Sequence, residues 1–126
     1  MDTTANRSAR PQKSGPRKIA LKTEGKTVFV DPAEVSVIEG RGNYVQLQTP
    51  VRSYLVRESV SNVASKLERY GFVRIHRSTI INASLVEESR TSPSGEARVR
   101  LKGGAKEYNV SKKYKSALKP LATCWI

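Results

Sequence analysis

The sequence predicts a mostly β domain with one amphipathic helix and a short helix near the C-terminus. From Lys18 onward, short runs rich in β-branched and aromatic residues are separated by turn signals of Gly, Asn, Asp and Pro. Only one interval in the middle of the chain changes to helical spacing, so strands and helices do not alternate. A parallel sheet needs that alternation, and the strands are therefore expected to pair mainly antiparallel.

Five strands are predicted before the helix. They cover residues 18–23, 26–30, 35–39, 44–48 and 53–56. Glu24 and Gly25 predict a tight hairpin between the first two strands. The loop 40–43 contains Gly40 and Gly42, which permit a sharp turn and a close approach of the backbone to a ligand.

The amphipathic helix is predicted from the spacing i, i+3, i+4, i+7 of four apolar residues, which are Val60, Val63, Ala64 and Leu67. Ser59 is suited to its N-cap, and Gly71 is suited to its C-terminal stop. Five further strands are predicted at residues 72–75, 79–81, 85–90, 97–102 and 106–110. Residues 111–118 predict a short helix, which Pro120 is expected to close.

One domain is expected from 126 residues, with a short segment on either side. Residues 1–17 are predicted to form a disordered basic tail, which either adds phosphate attraction or remains solvated. Residues 18–119 form the predicted domain. Residues 120–126 form an apolar C-terminal tail, which either docks a partner or folds back onto the domain.

The charge of the chain indicates a polyanionic partner. There are 23 Lys and Arg residues against 11 Asp and Glu, which gives a net charge of +12. Nucleic acid is favoured over an anionic membrane, and the remaining alternative is a protein whose charge serves solubility.

Cys124 and His76 are the only residues of their kinds, so neither a disulfide within the chain nor a metal site is expected, and no cofactor is expected. Without a signal peptide or an apolar span, the expected location is the cytoplasm.

Three stretches resemble the LytTR family of DNA-binding domains. They read VIEGRGNYV at residues 37–45, FVRIHRSTIIN at 72–82, and LKGG at 101–104 followed by VSKKY at 110–114. Their order, their spacing and the helix between the first two match the family over residues 18–119. The resemblance implies an elongated stack of small antiparallel sheets, whose loops enter successive major grooves of duplex DNA. It also implies a bacterial transcription regulator that binds repeated promoter sites, with a homodimer on DNA as one arrangement.

The resemblance places DNA contacts in the loop from Arg41 to Tyr44, in the segment from His76 to Ser78, and in the start of the last helix. The candidate DNA-binding residues are Arg41, Asn43, Tyr44, Arg74, His76, Arg77, Ser78, Ser111, Lys112, Lys113 and Lys115. Two positions depart from the family pattern. Thr79 stands where an aromatic residue is usual, and a lysine pair replaces the commoner arginine pair in the last helix, which weakens the case for bidentate guanine reading there.

The chemistry of these residues agrees with the resemblance. Arg77 can fork onto a guanine, Asn43 can pair with an adenine edge, and Arg41 suits a phosphate. Ser111 and the lysines after it suit a phosphate at a helix N-terminus. Arg74 and His76 are expected to share a strand face, and His76 either contacts DNA or orients the loop by hydrogen bonding.

Three alternatives stay open for parts of this interpretation. Arg98, Arg100 and Lys102 alternate along one strand and form either a solvated sheet face or a stripe that tracks phosphates. The loop 40–44 could be an ordinary hairpin with Asn43 in a left-handed conformation. The second function class is a nonspecific RNA-binding or ribosome-associated protein.

An enzyme is not expected, because no nucleophile–base pair or carboxylate dyad is present. No receiver-like region precedes the domain, so a stand-alone regulator is expected.

Overall fold

The computed structural model describes residues 17–104 and 106–126, which contain ten strands in three antiparallel sheets. Strands β1 (Ile19–Thr23) and β2 (Lys26–Val30) form a hairpin sheet. The central sheet has the order β5-β4-β3-β7-β6, with β3 at Val37–Arg41, β4 at Tyr44–Gln48, β5 at Ser53–Val56, β6 at Phe72–His76 and β7 at Thr79–Asn82. The third sheet has the order β10-β9-β8, with β8 at Val86–Thr91, β9 at Ala97–Leu101 and β10 at Glu107–Val110.

The predicted fold class is confirmed, and each predicted strand agrees with an observed one to within two residues at either end. The largest difference is at β3, which begins at Val37 rather than at residue 35. A short 3-10 turn over Pro32–Glu34 precedes it, and Val35 follows that turn as a fully buried cap residue. The predicted basic tail lies outside the described residues except for Arg17.

The predicted helix is confirmed as α1, Val60–Leu67. The Ser59 hydroxyl accepts a hydrogen bond from the Asn62 backbone N–H at 3.1 Å, as an N-cap residue does. A 3-10 turn over Glu68–Tyr70 follows, and Gly71 ends it in the left-handed conformation with a φ of 87°. The helix lies over the central sheet and forms its first apolar core together with the β1–β2 hairpin.

The central sheet is buried on both faces, because neighbouring residues along its inner strands enter different cores. In β3, Ile38 belongs to the core under α1, whereas Val37 belongs to the core shared with the third sheet. In β7, Ile80 and Ile81 divide in the same way. Strands buried on both faces read as continuous apolar runs rather than as alternating ones. The layers therefore fix the position of the loops at the ends of β3, β4, β6 and β7.

The C-terminal helix is a 3-10 helix over Lys112–Leu121, so its predicted end is wrong. Pro120 lies inside its last turn instead of closing it. A proline there forfeits one backbone donor, which the exposed end of a helix tolerates. Beyond it, Trp125 is 65% exposed and donates its indole N–H to the backbone carbonyl of Lys119 at 3.1 Å. In the part of the chain that the structure describes, no helix has the length and apolar character needed to cross a membrane.

Candidate nucleic-acid interface

The β3–β4 hairpin carries exposed polar and aromatic side chains. Gly42 occupies the left-handed region with a φ of 64°, and Asn43 does not, so the left-handed conformation considered for Asn43 is wrong. Arg41, Asn43 and Tyr44 are exposed. The Arg41 Nε donates to the Gln46 side-chain oxygen at 2.9 Å, and an Arg41 guanidinium nitrogen lies 3.8 Å from a Glu39 oxygen. The hairpin thus displays one amide, one phenol and one partly neutralised cation.

Gly40 brings the hairpin against the rest of the domain. Its N–H donates to the Ser78 carbonyl at 2.9 Å, which joins the hairpin to the β6–β7 turn. A Cβ atom at this position would lie 2.9 Å from the Val60 Cγ2 atom, closer than real Cβ contacts. The close approach at Gly40 is therefore made to α1 and to the β6–β7 turn of the same chain, and the approach to a ligand expected for this loop stays a prediction.

The β6–β7 turn is held by His76 and displays Arg77. The Ser78 backbone N–H donates to the His76 Nδ1 at 3.2 Å, and the Ser78 hydroxyl lies 3.0 Å from the same nitrogen. Both residues are half-buried, whereas Arg77 between them is exposed. This geometry favours the loop-orienting role for His76.

Arg74 uses all three guanidinium nitrogens within the protein. Its Nη1 donates to the Ser61 hydroxyl at 3.0 Å, its Nη2 donates to the Arg77 carbonyl, and its Nε donates to the His76 carbonyl at 3.3 Å. Its guanidinium carbon also lies 5.6 Å from the Tyr114 ring centroid. Arg74 therefore fastens α1, the β6–β7 turn and the C-terminal helix to one another.

The prediction that Arg74 and His76 share a face rested on regular alternation along β6. The register of β6 shifts between them, so that Arg74 pairs with Ile80 and His76 pairs with Thr79. A bulge of this kind breaks the alternation and re-aims the side chains that follow it. The prediction of a shared face is wrong for this reason.

The C-terminal helix starts beside the same turn. The Ser111 N–H donates to the Ile75 carbonyl at 2.9 Å, and the Tyr114 N–H donates to the Ser111 carbonyl at 2.8 Å. Lys112 and Lys113 are exposed at this end. The ammonium group of Lys115 instead donates to the Gly95 carbonyl at 2.8 Å, in the turn between β8 and β9. The predicted lysine cluster is thus divided: Lys112 and Lys113 face solvent at the start of the helix, whereas Lys115 contacts the β8–β9 turn.

Contacts within the chain join the three predicted segments. The hairpin is bonded to the β6–β7 turn through Gly40, and Arg74 links that turn to the C-terminal helix. We call the exposed side chains of these segments, together with Arg57, the loop surface. Its members are Arg41, Asn43, Tyr44, Arg57, Arg77, Lys112 and Lys113. Among the predicted site residues, Arg74, His76, Ser78, Ser111 and Lys115 are half-buried and make the internal contacts given above.

Arg57 is the addition that the sequence reasoning missed. Its guanidinium carbon lies 6.0 Å from the Tyr44 ring centroid, and the residue borders a cleft with Gly42, Asn43 and Ser59. A basic residue two positions before a helix N-cap is the only local signal. The pairing of β5 with β4 is what places Arg57 beside the hairpin.

The basic residues of β9 are paired with carboxylates. Arg100 contacts Glu87 and Glu88 at 2.8 Å each, and Arg98 lies 3.8 Å from Glu107. Hydrogen bonds from Arg100 and then Arg90 lower the pKa of Glu88 to about 2. These pairs favour the solvated sheet face over the phosphate-tracking stripe.

Comparison with known proteins gives the family. The family model described as the LytTr DNA-binding domain matches residues 25–122. The chain is 28% identical over 108 residues to the sensory transduction protein LytT of Bacillus subtilis, covering 86% of this chain and 44% of that protein. It is 32% identical over 95 residues to the CO-responsive transcriptional regulator RcoM of Rhodospirillum rubrum, covering 75% of this chain and 40% of that protein. The chain therefore spans less than half the length of these two relatives.

A solved structure supports the fold. The LytTr DNA-binding domain of a Bacillus cereus protein superimposes with a TM-score of 0.70 at 20% identity, covering 85% of this chain and 97% of that one. The family model covers most of the chain, including all three stretches that resemble the family. The chain belongs to the LytTR family of DNA-binding domains.

Proposed function

We propose that this chain binds specific sequences in double-stranded DNA through the loop surface and thereby regulates transcription. One observation carries the proposal: three loops that are distant in sequence are joined by direct contacts, and their outward side chains are cations, an amide and a phenol. Cations supply phosphate attraction, while amide and guanidinium groups can read base edges.

Within the loop surface the roles divide by chemistry. Arg77 stands on a tight turn held from behind by Arg74, so its guanidinium suits bidentate bonding to the O6 and N7 of a guanine. Asn43 at the hairpin tip suits an adenine edge. Lys112 and Lys113 suit phosphates, because a lysine presents a point charge and adapts to either backbone oxygen. Arg41 is partly neutralised by Glu39, and it suits a phosphate at the margin of the contact.

The names of the two curated relatives support a regulatory role. One is called a sensory transduction protein and the other a CO-responsive transcriptional regulator. The family resemblance adds that two copies occupy repeated sites on one promoter. Insertion into successive major grooves would follow because the β3–β4 hairpin and the β6–β7 turn belong to one rigid domain. We extend the regulatory role, the paired sites and the groove insertion to this chain as parts of the proposal.

Selection from randomised duplex DNA at near-physiological salt tests the proposal. We expect an enriched motif for the wild-type chain, and we expect Arg77→Ala to lose the preference at one position of it. Arg98→Ala is the matched control, because it removes the same charge from an exposed residue that faces Glu107 outside the loop surface. No enrichment, together with equal binding to RNA and to every duplex, would identify a nonspecific nucleic-acid binder instead.

A further inference from the structure

A crevice with an apolar wall lies between β1, the β4–β5 pair and α1. Its volume is about 430 Å³. Its wall is formed by buried and half-buried aliphatic side chains, namely Leu21, Val45, Leu47, Val56, Val63 and Leu67. Pockets of this size and character are typical of small-molecule sites.

The rim of the crevice is positively charged. Lys22, Arg57 and Lys66 line it together with a single carboxylate, Glu58. That carboxylate already has partners: Glu58 accepts from the Asn62 side chain at 2.9 Å and lies 3.7 Å from the Lys66 ammonium. The hydrogen bond from Asn62 is the main reason that the pKa of Glu58 is lowered, which keeps the group ionised and paired. Two cations therefore remain in excess.

We propose that this crevice binds an amphipathic monoanion, with an aliphatic tail against the apolar wall and a terminal carboxylate at the cationic rim. A neutral apolar ligand would leave the excess positive charge uncompensated, and a cation would be repelled by it. The N-terminal tail is a poor occupant for the same reason, because its charges are Arg7, Arg10, Lys13 and Arg17 against Asp2 alone.

The crevice and the loop surface share Arg57. This residue lines the crevice, borders the cleft beside Gly42 and Asn43, and lies over the Tyr44 ring. A carboxylate bound at the rim attracts the same guanidinium group that the hairpin uses. Ligand binding is thus expected to lower DNA affinity, an effect that rests on the proposed function, whereas the existence of the ligand site does not.

Titration of the full chain with decanoate, in the absence of DNA, tests the site. Amide chemical shifts are followed by NMR, and decanol of equal chain length is the uncharged comparison. We expect saturable shifts in β1, β5 and α1 with decanoate, and clearly weaker binding of decanol. Lys22→Gln should weaken decanoate binding about threefold, the size expected for one exposed ion pair. Lys119→Gln makes the same charge change outside the crevice and should leave the affinity unchanged.

Two filling variants test the location. Ala20→Phe changes an exposed residue at the mouth of the crevice, and Val63→Phe changes a half-buried residue of its wall. Each folded variant, as judged by thermal unfolding, should lose saturable decanoate binding, and Val63→Ala should retain it. Equal binding of decanol and decanoate, or undiminished binding in folded Ala20→Phe, would overturn the proposal.

The effect on DNA is measured separately, with sodium acetate at equal concentration as the control for ionic strength. Decanoate should weaken DNA binding by the wild-type chain and not by Ala20→Phe. If decanoate binds and DNA affinity does not change, the coupling through Arg57 is wrong and the ligand site stands. If no specific DNA binding is found at all, the proposed function fails, while the decanoate titration still decides the site.

Discussion

The guanidinium group of Arg74 donates a hydrogen bond to the backbone carbonyl of Arg77, three residues further along the chain. Arg74 therefore supports from behind the turn that displays Arg77 to solvent. Its other nitrogens bond to the Ser61 hydroxyl and the His76 carbonyl, so each of the three guanidinium nitrogens has a partner within the protein. The position of Arg77 thus depends on a side chain whose own charge is used within the domain.

Arg74→Ala is expected to lower DNA affinity without removing a phosphate contact. The substitution leaves the half-buried His76 carbonyl and two exposed oxygens, of Arg77 and Ser61, without their donor, which costs on the order of 1 kcal/mol of domain stability. The turn then loses its support, and Arg77 is no longer held in one orientation. Binding measured by fluorescence anisotropy at several salt concentrations should show a weaker complex with an unchanged slope of log K against log salt.

Arg74→Lys separates geometry from charge in the same experiment. A lysine ammonium cannot reach the three acceptors that the planar fork reaches, so Arg74→Lys should behave like Arg74→Ala. Thermal unfolding confirms that each variant is folded at the temperature of the binding measurement. A salt slope reduced by about 0.9 in Arg74→Ala would instead assign Arg74 to a phosphate and contradict this account.

Lys112→Ala and Lys113→Ala should weaken binding to every DNA sequence by a similar factor. Both lysines are exposed at the start of the C-terminal helix, where they suit phosphate contacts. Each substitution is expected to reduce the salt slope by about 0.9. Lys115→Ala is the matched control, because its ammonium donates to the Gly95 carbonyl and not to the DNA in this account. An equal loss of slope in Lys115→Ala would show that all three lysines face phosphates.

Local signals made most of the fold predictable. The start of helix α1 was predictable because its apolar spacing and the Ser59 cap lie close together, whereas Gly71, predicted as the stop of the helix, ends the 3-10 turn that follows α1. Val35 was predicted to lie in a strand, but it caps the 3-10 turn before β3. A buried β-branched residue fits either position, so composition alone does not distinguish them. The end of the last helix was misplaced because a proline signals a boundary without distinguishing the last turn from the residue beyond it.

The positions of the candidate loops were predictable from the sequence, but the contacts of each side chain were not. The Arg74 partners Ser61 and Tyr114 lie on different elements, so no local pattern indicates that its guanidinium is used within the domain. Lys115 follows the same basic run as Lys113, and only the packing of the helix beside the β8–β9 turn separates them. Exposure and long-range contacts decide these roles, and sequence spacing contains neither.

Gly40→Ala is expected to destabilise the domain by about 1–3 kcal/mol and to weaken DNA binding. The added methyl group would lie 2.9 Å from the Val60 Cγ2 atom, so the hairpin must move away from α1. That movement would also strain the bond from the Gly40 N–H to the Ser78 carbonyl. Urea denaturation gives the stability, and anisotropy gives the DNA affinity.

A double-mutant cycle with Val60→Ala checks this cause. Removing the Val60 methyl groups makes room for the new Cβ, so the double variant should be less destabilised than the sum of the two single variants. Gly104→Ala is the control, since the nearest atom to its Cβ is the Leu101 carbonyl oxygen at an ordinary 3.7 Å. Strict additivity of Gly40→Ala and Val60→Ala would show that the two residues do not compete for space.

The stability contributed by Glu88 should depend on pH. Hydrogen bonds from Arg100 and then Arg90 lower its pKa from the usual 4.5 to about 2, so the fold favours the ionised carboxylate. A group whose pKa is depressed on folding stabilises the fold above its unfolded pKa, and this contribution is lost as the pH falls toward the folded pKa. Glu88→Gln should therefore be less stable than the wild type at neutral pH, with a difference that shrinks between pH 4.5 and about 2.

Urea midpoints of the wild type and Glu88→Gln, measured across that pH range, check the prediction. Glu96→Gln is compared in parallel because it removes the same charge from an exposed turn residue. High salt should reduce the difference at neutral pH, since the pairs of Glu88 with Arg90 and Arg100 lie at the surface and are screened. A difference that stays constant down to pH 2 would mean that the substitution acts through packing of the side chain and not through its charge.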